Sequence, residues 1–360
     1  MLMEEILAEA TSRGASDIHI SVGVPPVYRI DGKLVRAEYP ALNKDDAHKL
    51  IFSLLNNEQR RVLEQNWELD FSYGVQGIGR FRVNVYKNRG TYATALRTIN
   101  STVPTADQLN LPQIVIDVAN RPRGLILVTG ATGSGKSTTL AAMINWINEN
   151  KAEHILTIED PIEFLHESKR SIVHQRELGQ DTRSFANALK SALREDPDVV
   201  LVGEMRDLET IQLAITAAET GHLVMGTLHT SSAIQTVDRI VDVFPPEQQH
   251  QIRVQLSSSL CAVFSQALVP RLNEFNEKKG RALAQEIMVV TPAIANMVRE
   301  GKTAQMYSAI QMGQEYGMQT LEMSLKDLYQ AGSVTLEDAL SKTTRPDDLR
   351  RILGQIGAVA

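Results

Sequence analysis

Four consecutive apolar residues, 125–128, predict a short buried strand, and a helical pattern begins near Ser137 just beyond them. The rest of the chain divides around this stretch by its periodicity. Before it, up to about residue 100, the apolar positions fall in short runs. Residues 18–21 predict a strand, and residues 27–30 and 33–35 flank Asp31-Gly32, a strong two-residue hairpin signal. Asn43 is placed to cap a helix running to about Leu55, with Leu50, Ile51, Leu54 and Leu55 on one face. Residues 71–73, 80–86 and 91–99 predict a meander of strands separated by glycine-rich turns. Residues 1–100 are therefore expected to form a small α+β domain.

Residues 101–112 hold two prolines and no apolar period, which predicts a linker. From residue 113 onward strands and helices alternate, the mark of a parallel sheet covered on both faces, so residues 113–360 are expected to form an α/β domain. Its predicted strands are 125–129, 154–159, 199–203 and 223–227, with helices over 184–194 and 208–220. After Pro245-Pro246 a long helical stretch is expected, then a strand near 284–290. A helical C-terminal region is expected over about 291–360, where Met318, Leu321, Leu325 and Leu328 step by three and four along one amphipathic helix.

Composition narrows the function classes. A chain of 360 residues has room for two or three domains. A net charge of −6 with no basic run argues against a nucleic-acid surface. The single cysteine, Cys261, lies in the apolar run LCAVFSQAL, which predicts a buried, inert thiol. One cysteine excludes a disulfide framework and fits a reducing compartment. No apolar run approaches the ~20 residues a bilayer requires, and the acidic start MLMEEILAEA lacks the basic opening of a signal peptide. A cytoplasmic protein without membrane insertion is expected, held at a membrane only by a partner.

The candidate chemistry begins where the buried strand ends. Gly130, Gly135, Lys136 and Ser137 fit G-x-x-x-x-G-K-[ST], and strand, glycine loop and helix follow in the order that makes this pattern a site. Across Gly130, Ala131, Thr132, Gly133, Ser134, Gly135, Lys136, Ser137 and Thr138, backbone N–H groups and a helix N-terminus would face an anion. Lys136 would reach the β- and γ-phosphates of ATP, and the Ser137 hydroxyl would hold Mg²⁺. Three further segments are expected at the carboxyl ends of neighbouring strands, where ligands of parallel sheets sit: Glu159-Asp160 with Glu163, Gly203-Glu204 with Arg206, and a strand bracketed by His222 and His229. Carboxylates there can bind a metal or orient water, and histidines can sense the γ-phosphate. A fourth segment, in the first domain, carries Arg80, Arg82 and Arg97 on strands whose alternate residues share a face.

Each of these residues also has a plainer reading. Glu163 could be an exposed loop carboxylate, and Glu204 a helix-capping one. The histidines could be hydrogen-bonded structural groups, and the arginines solvated strand charges. The tetrad 43–46, NKDD, formally matches a guanine-reading motif, but it precedes the phosphate loop and suits a helix cap.

Taken together, GATGSGKST, TIEDPIEF, ALREDPDVVLVGEMRD and TAAETGHLVMGTLHT resemble the four boxes of the secretion and pilus ATPases. SDIHIS, GRFRVNVYKNRG and GMQTLEMSLKDLYQAGSVTLEDAL resemble the PilT family of type IV pilus retraction motors. This resemblance runs from about residue 3 to residue 345. It implies a PAS-like first domain, a RecA-like P-loop ATPase domain with a helical tail, and a homo-hexameric ring. It implies ATP hydrolysis with Mg²⁺ on Ser137 and Glu204, Glu163 as catalytic glutamate, and His222 and His229 as the His-box pair. Arg82 and Arg97 correspond to arginines that approach the γ-phosphate. The implied partner is an inner-membrane pilus platform protein, which would hold the motor peripherally at the inner membrane.

There is one departure from the family pattern. Where retraction motors often carry AIRNLIRE, residues 293–300 read AIANMVRE, so Ala295 stands in place of an arginine. The alternatives are an accessory retraction paralogue, an extension or secretion motor, a non-hydrolysing nucleotide-binding scaffold, and a DNA translocator. Extension and secretion motors usually add a longer N-terminal region and a four-cysteine zinc insert; the acidic balance disfavours a DNA translocator.

Overall fold

Alternating burial builds the N-terminal sheet, and continuous burial builds the second. The computed structural model describes residues 2–99, 102–273 and 275–357, so Met1, Asn100, Ser101, Glu274 and residues 358–360 of the expected domains and linker lie outside it. The chain divides into two compact units: Met1–Val103 with Pro161–His166, and Pro104–Asp160 with Glu167–Ala360. The sequence puts residues 161–166 in the second region; they pack with the first.

The first unit runs α1 (Met3–Ser12), β1 (Asp17–Ile20), β2 (Val27–Ile30), β3 (Lys33–Arg36), α2 (Lys44–Ser53), α3 (Asn57–Asn66), β4 (Glu68–Val75), β5 (Gly79–Asn88) and β6 (Thr91–Ile99). Its antiparallel sheet has the order β3-β2-β1-β6-β5-β4. Phe81, Val83 and Val85 of β5 point to a core shared with Ile6 and Leu7 of α1, Ile51 of α2 and Leu63 of α3, while the intervening Arg82 is exposed. The Asp31-Gly32 turn joins β2 to β3 with φ of 48° and 78°, the left-handed pair such a hairpin needs. Asn43 caps α2 by accepting the Asp46 N–H at 2.9 Å.

The second unit contains α4 (Gln113–Ala119), β7 (Gly124–Thr129), α5 (Lys136–Asn150), β8 (His154–Glu159), β9 (Ile172–Glu177), α6 (Phe185–Ala192), β10 (Val199–Val202), α7 (Leu208–Glu219) and β11 (Leu223–Leu228). It continues through α8 (Ala233–Asp242), α9 (Pro246–Ser259), β12 (Leu260–Leu272), β13 (Lys278–Val289), α10 (Pro292–Glu300), α11 (Met306–Met312), α12 (Leu321–Gln330), α13 (Leu336–Leu340) and α14 (Pro346–Gly357). Its sheet has the order β13-β12-β7-β11-β10-β8-β9. All neighbours from β12 to β9 are parallel, and β13 pairs antiparallel with β12. Every residue of β7, β10 and β11 is buried, as expected of parallel strands covered on both faces.

Two sequence expectations need correction here. The helix after Pro246 stops at Ser259, and the apolar run beyond it is β12, the inner arm of a long hairpin. Residues 260–266 are all buried, so the strand shows no alternation, and periodicity does not separate it from a buried helix. Met318 precedes α12, whose cap is Thr320; it packs into the main core of the unit, whereas Leu325 joins a second cluster with Val269 and Leu349. Among the described residues no helix is long and apolar enough to cross a membrane.

Candidate functional site

β7 ends on Thr129, whose hydroxyl shares a 2.8 Å hydrogen bond with Ser265 Oγ of β12. The chain then turns through the glycine loop into α5. Gly130 has φ 139°, and a Cβ added there would lie 2.4 Å from the Gln266 carbonyl oxygen and 2.6 Å from Ser134 Oγ. A residue with a side chain does not pass this point. Gly135, at φ 91°, is the N-cap of the fifteen-residue α5, so unbonded N–H groups of its first turn face the loop. Lys136, 9% exposed, folds back so that Nζ donates to Gly130 O at 2.8 Å and Ala131 O at 3.1 Å. Ala131, Thr132 and Gly133 form the exposed tip, Ser134 is buried, and Ser137 and Thr138 are half-buried in the first helical turn. A glycine cradle, a helix N-terminus and a buried ammonium on loop carbonyls together suit a polyphosphate.

Two strands away, the chain leaves β10 through Gly203 into Glu204. Thr227 Oγ1 donates to Gly203 O at 2.5 Å and the Met205 N–H to Thr227 O at 3.1 Å, which fixes this turn to β11. Glu204 Oε1 meets Arg206 Nε at 2.5 Å and His229 Nε2 at 2.9 Å. Oε2 has no partner among the described residues. That open oxygen, on a carboxylate at the loop's edge of the sheet, is one that could help to hold a divalent cation. Among the described residues no cluster of three or more His, Cys, Asp or Glu could hold a metal ion by itself.

Burial alone would raise the Glu204 carboxyl; the hydrogen bond and charge of Arg206, with His229 beside them, outweigh it and hold it below the usual range. A lowered carboxyl stabilises the fold above its unfolded pKa, and that contribution is lost as pH falls through the folded value. Arg206 is 73% exposed, so the gain is screened and expected to stay under about 1 kcal/mol. In denaturant titrations the gap between the unaltered protein and Glu204→Gln should be open at neutral pH and close below the ordinary carboxylate range near ~4. A gap independent of pH would contradict this account of the carboxylate.

His229 lies one residue beyond β11 and joins Glu204; His222 does not. It precedes β11, at the opposite edge of the sheet, about 20 Å away along the strand. There its Nδ1 donates to Ala217 O at 3.0 Å and its own carbonyl accepts the Gly124 N–H at 3.0 Å. Residues bracketing one strand sit at its two ends, so the expectation that both histidines project from the ligand edge fails within this chain. Glu163 lies in the segment that packs with the first unit, where it is exposed.

Arg82 and Arg97 face each other across the β5–β6 register on the exposed face of the first sheet. Arg97 Nε donates to Asp17 Oδ1 at 2.9 Å. Burial would raise the Asp17 carboxyl, but hydrogen bonds from Ser16 and Arg97 hold it below its ordinary value. Motif reasoning gave no role to Asp17 or to Gln266. The available signal for Gln266 was Ser265-Gln266 itself, two polar residues inside an apolar run, which burial makes costly unless they serve a purpose.

Residues 1–341 match the Type II/IV secretion system protein family. The chain is 54% identical over 349 residues to the type IV pilus retraction ATPase PilT of Pseudomonas aeruginosa, covering 97% of this chain and 100% of that protein. It is 39% identical over 353 residues to the type IV pilus ATPase PilU of the same organism, covering 98% and 91% respectively. A crystal structure of the pilus retraction motor PilT with bound ADP superposes with a TM-score of 0.91 at 50% identity, covering 98% of this chain and 99% of that one.

Proposed function

This chain belongs to the Type II/IV secretion system protein family as an ATP-hydrolysing enzyme, and from that premise we propose that it is the motor that retracts type IV pili. The observation that carries this is the likeness to PilT along the whole of that protein's length. The identity to PilU is lower, which favours the principal retraction motor over the accessory one. With one cysteine, the chain has no four-cysteine zinc insert of the kind that extension and secretion motors usually carry.

On this proposal the first unit is PAS-like, the second RecA-like, and six copies form a ring. Lys136 and the N–H groups of the glycine loop bind the β- and γ-phosphates of ATP. Mg²⁺ on Ser137 and Glu204 would neutralise charge that builds on the phosphates. Glu163 orients the attacking water, His229 reports phosphate occupancy to Glu204, and Arg82 and Arg97 steady the transition-state charge. Hydrolysis removes contacts that nucleotide makes to both units, so their preferred angle changes, and that rotation does the mechanical work. The ring works in the cytoplasm against an inner-membrane platform protein of the pilus.

The direction of work is testable in the organism that encodes the chain. A strain lacking it, and lacking any second retraction motor, should carry pili in normal or excess number while losing twitching motility. Electron microscopy reads the outcome. Bald cells would mean that the protein builds pili, leaving the ATPase assignment intact.

A further inference from the structure

Gln266 of β12 lies against the phosphate loop and the start of α5. Its main-chain oxygen closes on Gly130, its Nε2 donates to Thr139 Oγ1 at 2.8 Å in the first turns of α5, and its Oε1 lies 4.0 Å from where a Cβ on Gly135 would stand. The side chain is 5% exposed, and Oε1 has no hydrogen-bond partner among the described residues. The loop holds a matching orphan: Ser134, also 5% exposed, whose Oγ has none either. Buried polar atoms are nearly always paired, so an acceptor and a donor left over at one loop call for a role.

We propose that Gln266 is a positioning residue for nucleotide binding, bracing the phosphate loop against β12 and taking the Ser134 hydroxyl onto Oε1 when the loop closes on phosphate. The ligand class is the diphosphate or triphosphate of a nucleotide, so the inference rests on the glycine loop being the nucleotide site. It also gives the loop a mechanical connection. Three residues further along β12, Val269 enters the cluster formed with Ala282 and Ala284 of β13, Leu325 of α12, Ala339 of α13 and Leu349 of α14. A loop that shifts Gln266 shifts the strand on which the C-terminal helices rest.

The test compares Gln266→Met, which keeps length and volume but removes both polar atoms, with Ser134→Ala and the double variant. ADP affinity is measured by calorimetry, KM and kcat for ATP by phosphate release, and unfolding by melting without nucleotide. Gln266→Met should bind ADP about tenfold more weakly, the worth of one well-made hydrogen bond, and raise KM more than it lowers kcat. Its melting temperature without nucleotide should fall modestly, because the substitution takes the donor from the buried Thr139 Oγ1 along with the unpaired oxygen. Ser134→Ala should also weaken ADP, and the double variant should lose no more than Gln266→Met alone, since the contact between Ser134 Oγ and Gln266 Oε1 is lost in either single variant. ADP affinity within twofold of the unaltered protein in Gln266→Met overturns the proposal. So do additive losses in the double variant, whatever the melting temperature. Failure of the unaltered protein to bind ADP would instead remove the nucleotide site on which the inference rests.

Discussion

Lys136→Ala should lower ATP hydrolysis by about a thousandfold or more and remove tight ATP binding with it. The side chain opens α5 and is almost wholly buried, with its ammonium held on Gly130 O and Ala131 O. It is a buried cation against the glycine loop, and alanine takes away both a charge that can meet phosphates and the donor to those two carbonyls. Binding and turnover should therefore fail together. Calorimetry with ADP and a phosphate-release assay measure them separately, and a melting curve shows whether the loop still folds. Retained tight binding with lost turnover would mean that Lys136 acts only on the transition state, and that the N–H groups of the loop bind the ground state alone.

How much of this was visible in the sequence depends on whether a feature is local. β7, the glycine loop and α5 lie within one continuous segment, and their order could be read directly because strand, turn and helix each leave a short-range pattern. The same holds for β8, which begins and ends on the predicted residues, and for the Asp31-Gly32 hairpin. Features made by distant residues were not legible. β12 pairs with β7 from 136 residues further along, and its largely apolar run, buried without alternation, conceals the strand. That concealment also hid Gln266, which reaches the loop only because β12 lies beside β7. The Asp17–Arg97 contact joins residues 80 apart, so no motif spacing marks it. His222 was misplaced for a geometric reason: proximity in sequence across a strand means separation in space. Segment 161–166 was assigned by chain order, while its packing is with the first unit.

Glu163→Gln should leave ADP affinity within about threefold while hydrolysis falls by about a hundredfold or more, the range over which a positioned general base acts. A carboxylate adds no attraction for phosphate, so its loss should not weaken ground-state binding. Glutamine has nearly the same shape and still accepts hydrogen bonds, so the change deletes the base without opening a hole. The competing possibility is that Glu163 is an ordinary exposed loop carboxylate, and it predicts hydrolysis at the unaltered rate. That result would move the search for the base to the sheet edge that carries the loop. Glu204 is a poor replacement, because Oε1 is already engaged by Arg206 and His229 and Oε2 is the oxygen suited to Mg²⁺. Glu159, at the end of β8 with Oε1 accepting Thr157 Oγ1 at 2.7 Å, would be next to test. If Glu163→Gln and Glu159→Gln both hydrolyse ATP normally, water is oriented without a carboxylate from this strand end, and Glu163 has no part in the chemistry.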